Sequence, residues 1–133
     1  MKRNLLLAVL MVFSVWVSAQ KDSSSDKAPV IFTFVENNPE FPGGEEELIK
    51  FLQHNIKYPK RERNKDIQGK VLVRFVVDID GSVKDVIVVK SVSEGLDKEA
   101  VRVVKMLPKF KPGKQQGKPV MVYYNLPVNF SLK

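Results

Sequence analysis

Residues 69–92, GKVLVRFVVDIDGSVKDVIVVKSV, carry the strongest structural pattern in this 133-residue chain. In the first half, large apolar side chains recur at every second position, at Val71, Val73, Phe75 and Val77. A period of two is typical of a strand with one buried face. Asp78-Ile79-Asp80-Gly81 follows, with Asp and Gly at the positions that a tight four-residue turn favours. Because valines resume at Val83, the stretch predicts a β-hairpin.

Helical patterns flank the hairpin on both sides. Before it, Glu45 to Ile56 carries one apolar stripe, formed by Leu48, Phe51, Leu52 and Ile56. The charged segment from Lys60 to Asp66 suits a further short helical turn. After the hairpin, Asp97 to Leu107 predicts a second helix with Asp97 as its N-cap.

The C-terminal segment has the strictest alternation in the chain, because every even-numbered residue from Val120 to Leu132 is apolar. We expect this third strand to lie antiparallel beside the first strand of the hairpin. The sequence therefore predicts an α+β fold, with a three-stranded antiparallel sheet and two helices on one face. The third strand would form an edge, a position that suits Pro127.

Composition excludes several classes of functional site. The chain has no Cys and one His, His54, which rules out disulfides, thiolate metal sites and multi-histidine sites. Asp78-x-Asp80-Gly81 lacks the Gly and Glu spacing of a calcium loop, and Gly113 to Lys118 lacks that of a phosphate loop. The sequence shows no catalytic pair of a nucleophile and a general base. We therefore expect no enzyme, no cofactor and no metal.

The N-terminus predicts export. Lys2-Arg3 precedes an uncharged apolar run over residues 5–19, as in a secretory signal peptide cleaved after Ala19. Residues 20–36 would form a flexible leader, in which residues 29–35 either add a strand or cover the edge of the core. Removal of Lys2 and Arg3 would lower the formal net charge from +7 to +5. For a basic exported domain, acidic protein or membrane surfaces are expected partners, and nucleic acid is not.

The order and spacing of several short motifs resemble the C-terminal domain of TonB, the periplasmic energy transducer of Gram-negative outer-membrane uptake. The motifs are Tyr58-Pro59, Ile67-Gln68-Gly69-Lys70-Val71, Asp80-Gly81-Ser82-Val83, Leu96-Asp97, Lys111-Pro112-Gly113-Lys114 and Val120-x-Val122. Glu40 to Gly44 and Asn125 to Phe130 resemble the version common in Bacteroidetes-type bacteria. The resemblance places such a domain over residues 37–133. Glu62 and Asp66 stand where the family usually has Ala and Gly.

The resemblance implies a partner, the TonB box, which is a short extended segment of an outer-membrane receptor. In the family this segment adds as a strand to the last strand of the domain, here Val120 to Phe130. The residues implied as contacts are Asn55, Ile56, Lys57, Val120, Met121, Val122, Tyr123, Tyr124, Asn125 and Leu126.

Two cellular arrangements remain open on the sequence. In the first, the chain is a periplasmic binding module released by signal-peptide cleavage. In the second, residues 5–19 stay in the inner membrane as an anchor, and the chain is a minimal transducer coupled to a proton-motive-force complex. An exposed strand edge also permits a homodimer.

Overall fold

The computed structural model describes residues 29–132. Three helices and five strands follow one another in this order: β1 (Ile31–Phe32), α1 (Glu45–Asn55), α2 (Lys60–Asn64), β2 (Gly69–Val77), β3 (Val83–Lys90), α3 (Glu94–Val104), β4 (Gly113–Gln115) and β5 (Lys118–Phe130). The predicted signal peptide and residues 20–28 of the predicted leader lie outside the described residues. Within residues 29–132, no helix combines the length and the hydropathy needed to cross a membrane.

The sheet has the order β1-β5-β2-β3, with β4 paired to the start of β5. The predicted hairpin is present as β2 and β3, and its turn is closed by a 2.8 Å bond from Gly81 N–H to Asp78 C=O. Strand β5 runs antiparallel to β2 from Gly69↔Phe130 to Val77↔Val122. The α+β class and the order of these three strands are confirmed. The count of three strands is wrong, because β1 and β4 have only two and three residues and carry no periodic signal.

One hydrophobic core lies between the sheet and the helices. The alternating side chains of β2 are fully buried, and they meet Leu48 and Leu52 of α1 and Leu96 and Val103 of α3. The alternating residues Leu126, Val128 and Phe130 of β5 join the same core. Both longer helices therefore cover one face of the sheet, as the sequence predicts.

The N-terminus of α3 differs from the prediction. The helix begins at Glu94 and its N-cap is Ser93, whose Oγ accepts the N–H of Leu96 at 3.2 Å. Asp97 is not the cap, since its carboxylate instead accepts the N–H of Val92 at 3.0 Å. Glu62 of α2 reaches the same helix end and accepts the N–H of Gly95 at 2.9 Å. The N–H of Gly95 lies in the first turn of α3 and has no partner within the helix, so the buried Glu62 carboxylate supplies one.

The two long strands on either side of β2 are unlike one another. Strand β3 is irregular, because its register against β2 shifts between Arg74 and Val76 and Asp85 adopts a φ of 54°. Such bulges twist a strand and interrupt its capacity to pair with another chain. At the other side, β5 keeps an unbroken register against β2 over nine residue pairs. The two edges therefore differ in their suitability for strand addition.

Candidate functional site: a strand edge beside helix α1

The candidate site is the outer edge of β5 between Tyr123 and Phe130. Val122 pairs with Val77 of β2 on one side and with Phe32 of β1 on the other. Beyond Val122, no strand of the described residues pairs with the side of β5 that faces away from β2. The prediction that the last strand is an edge thus fails at Met121 and Val122, where β1 adds in parallel. From Tyr123 onward, alternate backbone N–H and C=O groups have no strand partner on that side.

A groove lies alongside this edge, between β5 and α1. Its volume is about 340 Å³, near the lower end of the range for ligand sites. Apolar side chains line it: Leu48, Ile49 and Leu52 from α1, Ile56 from the C-cap of this helix, and Tyr124 and Leu126 from β5. Ile49 is 48% exposed, and it stands beside the apolar side chains that line the groove.

Polar groups stand at the two ends of the groove. Glu45 and Tyr124 line the groove together. Burial and the nearby Glu45 charge raise the pKa of Tyr124 above its usual value. Lys70 lines the groove at the other end, beside its register partner Asn129, but from the face of the sheet opposite α1, because its neighbour Val71 faces the core. Just beyond α1, Tyr58 packs edge-on against Phe130, with ring centroids 5.7 Å apart. Helix α1 therefore follows β5 in the same direction, from the acidic end of the groove at Glu45 towards Phe130.

An ionic contact with α3 holds the C-terminal end of α1. Glu99 Oε2 accepts the N–H of Lys57 at 2.6 Å, and Arg102 Nη2 donates to the C=O of Asn55 at 2.8 Å. Arg102 also donates to both carboxylate oxygens of Glu99, at 2.8 and 2.7 Å. Burial of Glu99 opposes its charge, but the bonds from Arg102 and from Lys57 N–H outweigh burial and hold the pKa of Glu99 below its usual value. This contact positions Ile56 beside the groove.

Aromatic packing fixes the β5 wall of the groove. The Tyr124 ring stacks on Phe75 with centroids 5.1 Å apart, and it meets Phe110 edge-on with centroids 5.2 Å apart. On the opposite face of the sheet, the guanidinium of Arg74 lies 4.4 Å from the centroid of the Tyr123 ring. These contacts anchor both faces of β5 where the unpaired edge begins.

The structure divides the predicted contact residues into three groups. Four of them line the groove: Ile56, Tyr124, Asn125 and Leu126. Tyr123 lies at the same edge, and its ring is on the other face of the sheet.

The remaining predicted residues already have partners. Backbone groups of Asn55 and Lys57 bind Arg102 and Glu99 of α3. Val120 pairs with Gly113 of β4, while Met121 and Val122 pair with β1. A strand added to the edge would therefore meet free backbone groups only from Tyr123 onward.

Several groove residues are absent from the ten predicted contacts: Glu45, Leu48, Ile49, Leu52, Gln53, Lys70, Pro127 and Asn129. Pro127 and Asn129 nevertheless belong to the strand predicted to accept the partner. A signal for the helical ones exists in the sequence. Glu45, Ile49, Gln53 and Ile56 recur at spacings of three and four, which places them on one flank of α1 next to the core-facing stripe. Among the described residues, no three His, Cys, Asp or Glu side chains are grouped so that they could hold a metal ion.

Comparison with known proteins identifies relatives of this chain. The chain is 33% identical over 97 residues to Protein TonB of Helicobacter pylori strain ATCC 700392 / 26695, a match that covers 69% of the chain and 33% of the relative. Protein TonB of strain J99 / ATCC 700824 matches with the same identity and coverage. The chain therefore spans about one third of the length of the curated relatives it matches.

A solved structure supports the same relationship. The solution structure of residues 194–285 of the Helicobacter pylori TonB C-terminal domain superposes with a TM-score of 0.53 at 29% identity, covering 66% of this chain and 92% of the other. The family described as "Gram-negative bacterial TonB protein C-terminal" matches residues 54–132, which is more than half of the chain. The chain belongs to the family of TonB C-terminal domains.

Proposed function

We propose that this protein is a periplasmic binding module of TonB-dependent outer-membrane transport, and that it binds the TonB box of a receptor by β-strand addition to Tyr123–Phe130. One observation carries the proposal, which is that this unpaired edge stands directly beside an apolar groove. Family membership supports the class of partner.

The backbone of the edge supplies most of the binding in this proposal. An extended peptide pairs with alternate N–H and C=O groups of β5, so that affinity depends little on the identity of each side chain. The outer edge of β3 is less suited to a peptide, because the bulge at Asp85 interrupts this strand. On β5, strand β1 already pairs in parallel with Met121 and Val122, so a bound peptide pairs from Tyr123 onward.

The decisive experiment compares three forms of one eight-residue TonB-box peptide in amide NMR titrations of the labelled protein. The first form is unmodified. The second is N-methylated at odd positions and the third at even positions, which removes alternate N–H donors and leaves the side chains in place. In a strand the donors of one set face the partner and those of the other set face away. We expect one methylated form to lose binding and the other to retain it.

The amides that shift test where the peptide binds. Saturable shifts should be concentrated from Tyr123 to Phe130 and in α1, while the amides of β3 serve as the internal control. If both methylated forms bind like the parent peptide, or if the shifts fall on β3, strand addition to β5 is wrong. A peptide of the same composition in scrambled order controls for nonspecific association.

We also propose that residues 1–19 direct export of the chain to the periplasm and are then removed by cleavage after Ala19. The intact mass of the protein isolated from the periplasm decides between this arrangement and the membrane-anchored transducer. A species that starts at Gln20 supports cleavage. A species that keeps residues 5–19 and sediments with the inner membrane supports the anchor.

A further inference from the structure

We infer that the groove between α1 and β5 selects strands that carry two apolar side chains separated by a single residue, and that Ile49 is the residue that determines this preference. The inference rests on the proposed strand addition and goes further, because it specifies the side chains of the partner. The starting observation is the exposure of Ile49, whose neighbour Leu48 is only 1% exposed in the core.

The flank of α1 that carries Ile49 has no other role in the described fold. Leu48 and Leu52 supply the core contacts of the helix, and both belong to the central cluster. Ile49 is absent from that cluster and from the side chains packed against it, yet it lines the groove together with Ile56 and Leu126. An aliphatic side chain in this position offers apolar contact to whatever occupies the groove.

Strand geometry determines which side chains of a bound peptide reach the groove. Successive side chains of an added strand point to opposite faces of the sheet, so only every second one faces α1. Residues i and i+2 of a strand stand about 7 Å apart. Ile49 lies in α1 and Ile56 is the C-cap of this helix, seven residues further on, which corresponds to a rise of about 10 Å. The apolar part of the groove therefore accommodates two side chains of the peptide, at positions i and i+2.

A charge limits the apolar part at one end of the groove. Glu45 stands at the Tyr124 end. A further apolar side chain facing α1 beyond that end would lie against the Glu45 carboxylate, where a polar side chain is favoured. Lys70 and Asn129 alternate with the core-facing residues of β2 and β5, so they line the groove from the other face of the sheet. The Glu45 end thus complements a strand that carries a polar residue beyond its apolar pair.

The test uses two peptides of identical composition, built on the receptor peptide that binds the edge. One carries two valines at positions i and i+2, and the other carries them at i and i+1, with Ser and Thr at the remaining positions near them. Both offer the same backbone donors. The adjacent pair places one valine on the wrong face, so we expect it to bind about tenfold more weakly, which is the effect of losing one buried apolar side chain.

Two variants connect the preference to α1. Ile49→Asp should bring the two affinities within about twofold of each other. Ile87→Asp is the matched control, because Ile87 is 44% exposed on β3 and away from the groove, and it should keep the tenfold preference. Amide spectra of each variant without peptide check that the fold is intact.

The outcomes separate this inference from the proposed function. Equal affinities of the two peptides, with shifts still along Tyr123–Phe130, overturn the groove preference and leave strand addition standing. A preference that persists in Ile49→Asp overturns the role of Ile49. If no receptor peptide perturbs the β5 edge, both the inference and the proposed function are wrong.

Discussion

The carboxylate of Glu99 accepts the backbone N–H of Lys57 at 2.6 Å, a contact between residues 42 positions apart in the chain. Only 9% of Glu99 is exposed, and Arg102 binds both of its oxygens. The contact joins α3 to the segment that leads out of α1. It therefore connects the stability of the domain with the position of the groove wall.

Replacing Glu99 by Gln should destabilise the domain. The substitution keeps the volume of the side chain and removes the charge that Arg102 and Lys57 N–H bind. We expect the free energy of unfolding to fall by about 1.5–3 kcal/mol, the range for hydrogen bonds to a charged group. Urea denaturation measures the difference. Glu94→Gln, at an exposed position of the same helix, is the control and should change stability by less than about 1 kcal/mol. Equal effects of the two substitutions would contradict a specific role for Glu99.

The contribution of Glu99 should depend on pH in a defined direction. Because its pKa is lower in the folded protein than in the unfolded chain, its charge stabilises the fold fully above the unfolded pKa of about 4.3. The contribution is lost as the pH falls through the lower, folded pKa. The stability difference between the wild type and Glu99→Gln should therefore be largest near neutral pH and shrink below about pH 4. A difference that stays constant from pH 7 to pH 3 would show that the charge is not responsible.

Neighbouring positions of α1 should respond differently to truncation. Leu48→Ala removes a core side chain and should cost about 2–4 kcal/mol of unfolding free energy. Ile49→Ala removes a side chain that is half exposed in the groove, and should cost less than about 1 kcal/mol. Thermal and urea unfolding of the two variants give the comparison. A large loss at Ile49 would mean that this side chain serves the core and not the groove.

A methyl group at Gly81 should disrupt the end of the hairpin. Gly81 has a φ of 90°, and a Cβ there would lie 2.0 Å from the backbone oxygen of Phe110. Phe110 N–H also donates to Gly81 C=O at 2.8 Å, so the turn and the 110 segment cannot separate without losing this bond. We expect Gly81→Ala to cost more than about 2 kcal/mol, since a clash adds to the backbone strain.

Gly117→Ala separates strain from clash. Gly117 has a similar φ of 77°, and a Cβ there would have no atom within 4 Å. It should therefore cost only about 1 kcal/mol, the strain of the left-handed conformation alone. Urea unfolding of the two variants measures the difference. Equal losses of unfolding free energy would show that the contact with Phe110 does not add to the strain at Gly81.

Local signals in the sequence predict most of the fold. The period of two in β2 and the turn at Asp78–Gly81 require only neighbouring residues, and both are present as predicted. The predicted N-cap of α3, Asp97, is wrong, because the helix is capped four residues earlier, by Ser93. Glu62 of α2 supports that earlier start, since its carboxylate accepts from the Ser93 hydroxyl and from the N–H of Gly95. Only folding brings that carboxylate to the helix end.

Local patterns suffice for the α+β class, the central hairpin and the alternation of the last strand, because each depends on the period of side chains along the chain. Where the last strand remains unpaired depends instead on contacts between distant segments. Ile31 and Phe32 occupy the edge at Met121 and Val122. No periodic pattern in the sequence predicts these two residue pairs. The tertiary structure also decides that Ile49 faces a groove, since the exposure of a helix flank depends on what packs beside it. Both features arise between segments about 70 to 90 positions apart, beyond the reach of a local pattern.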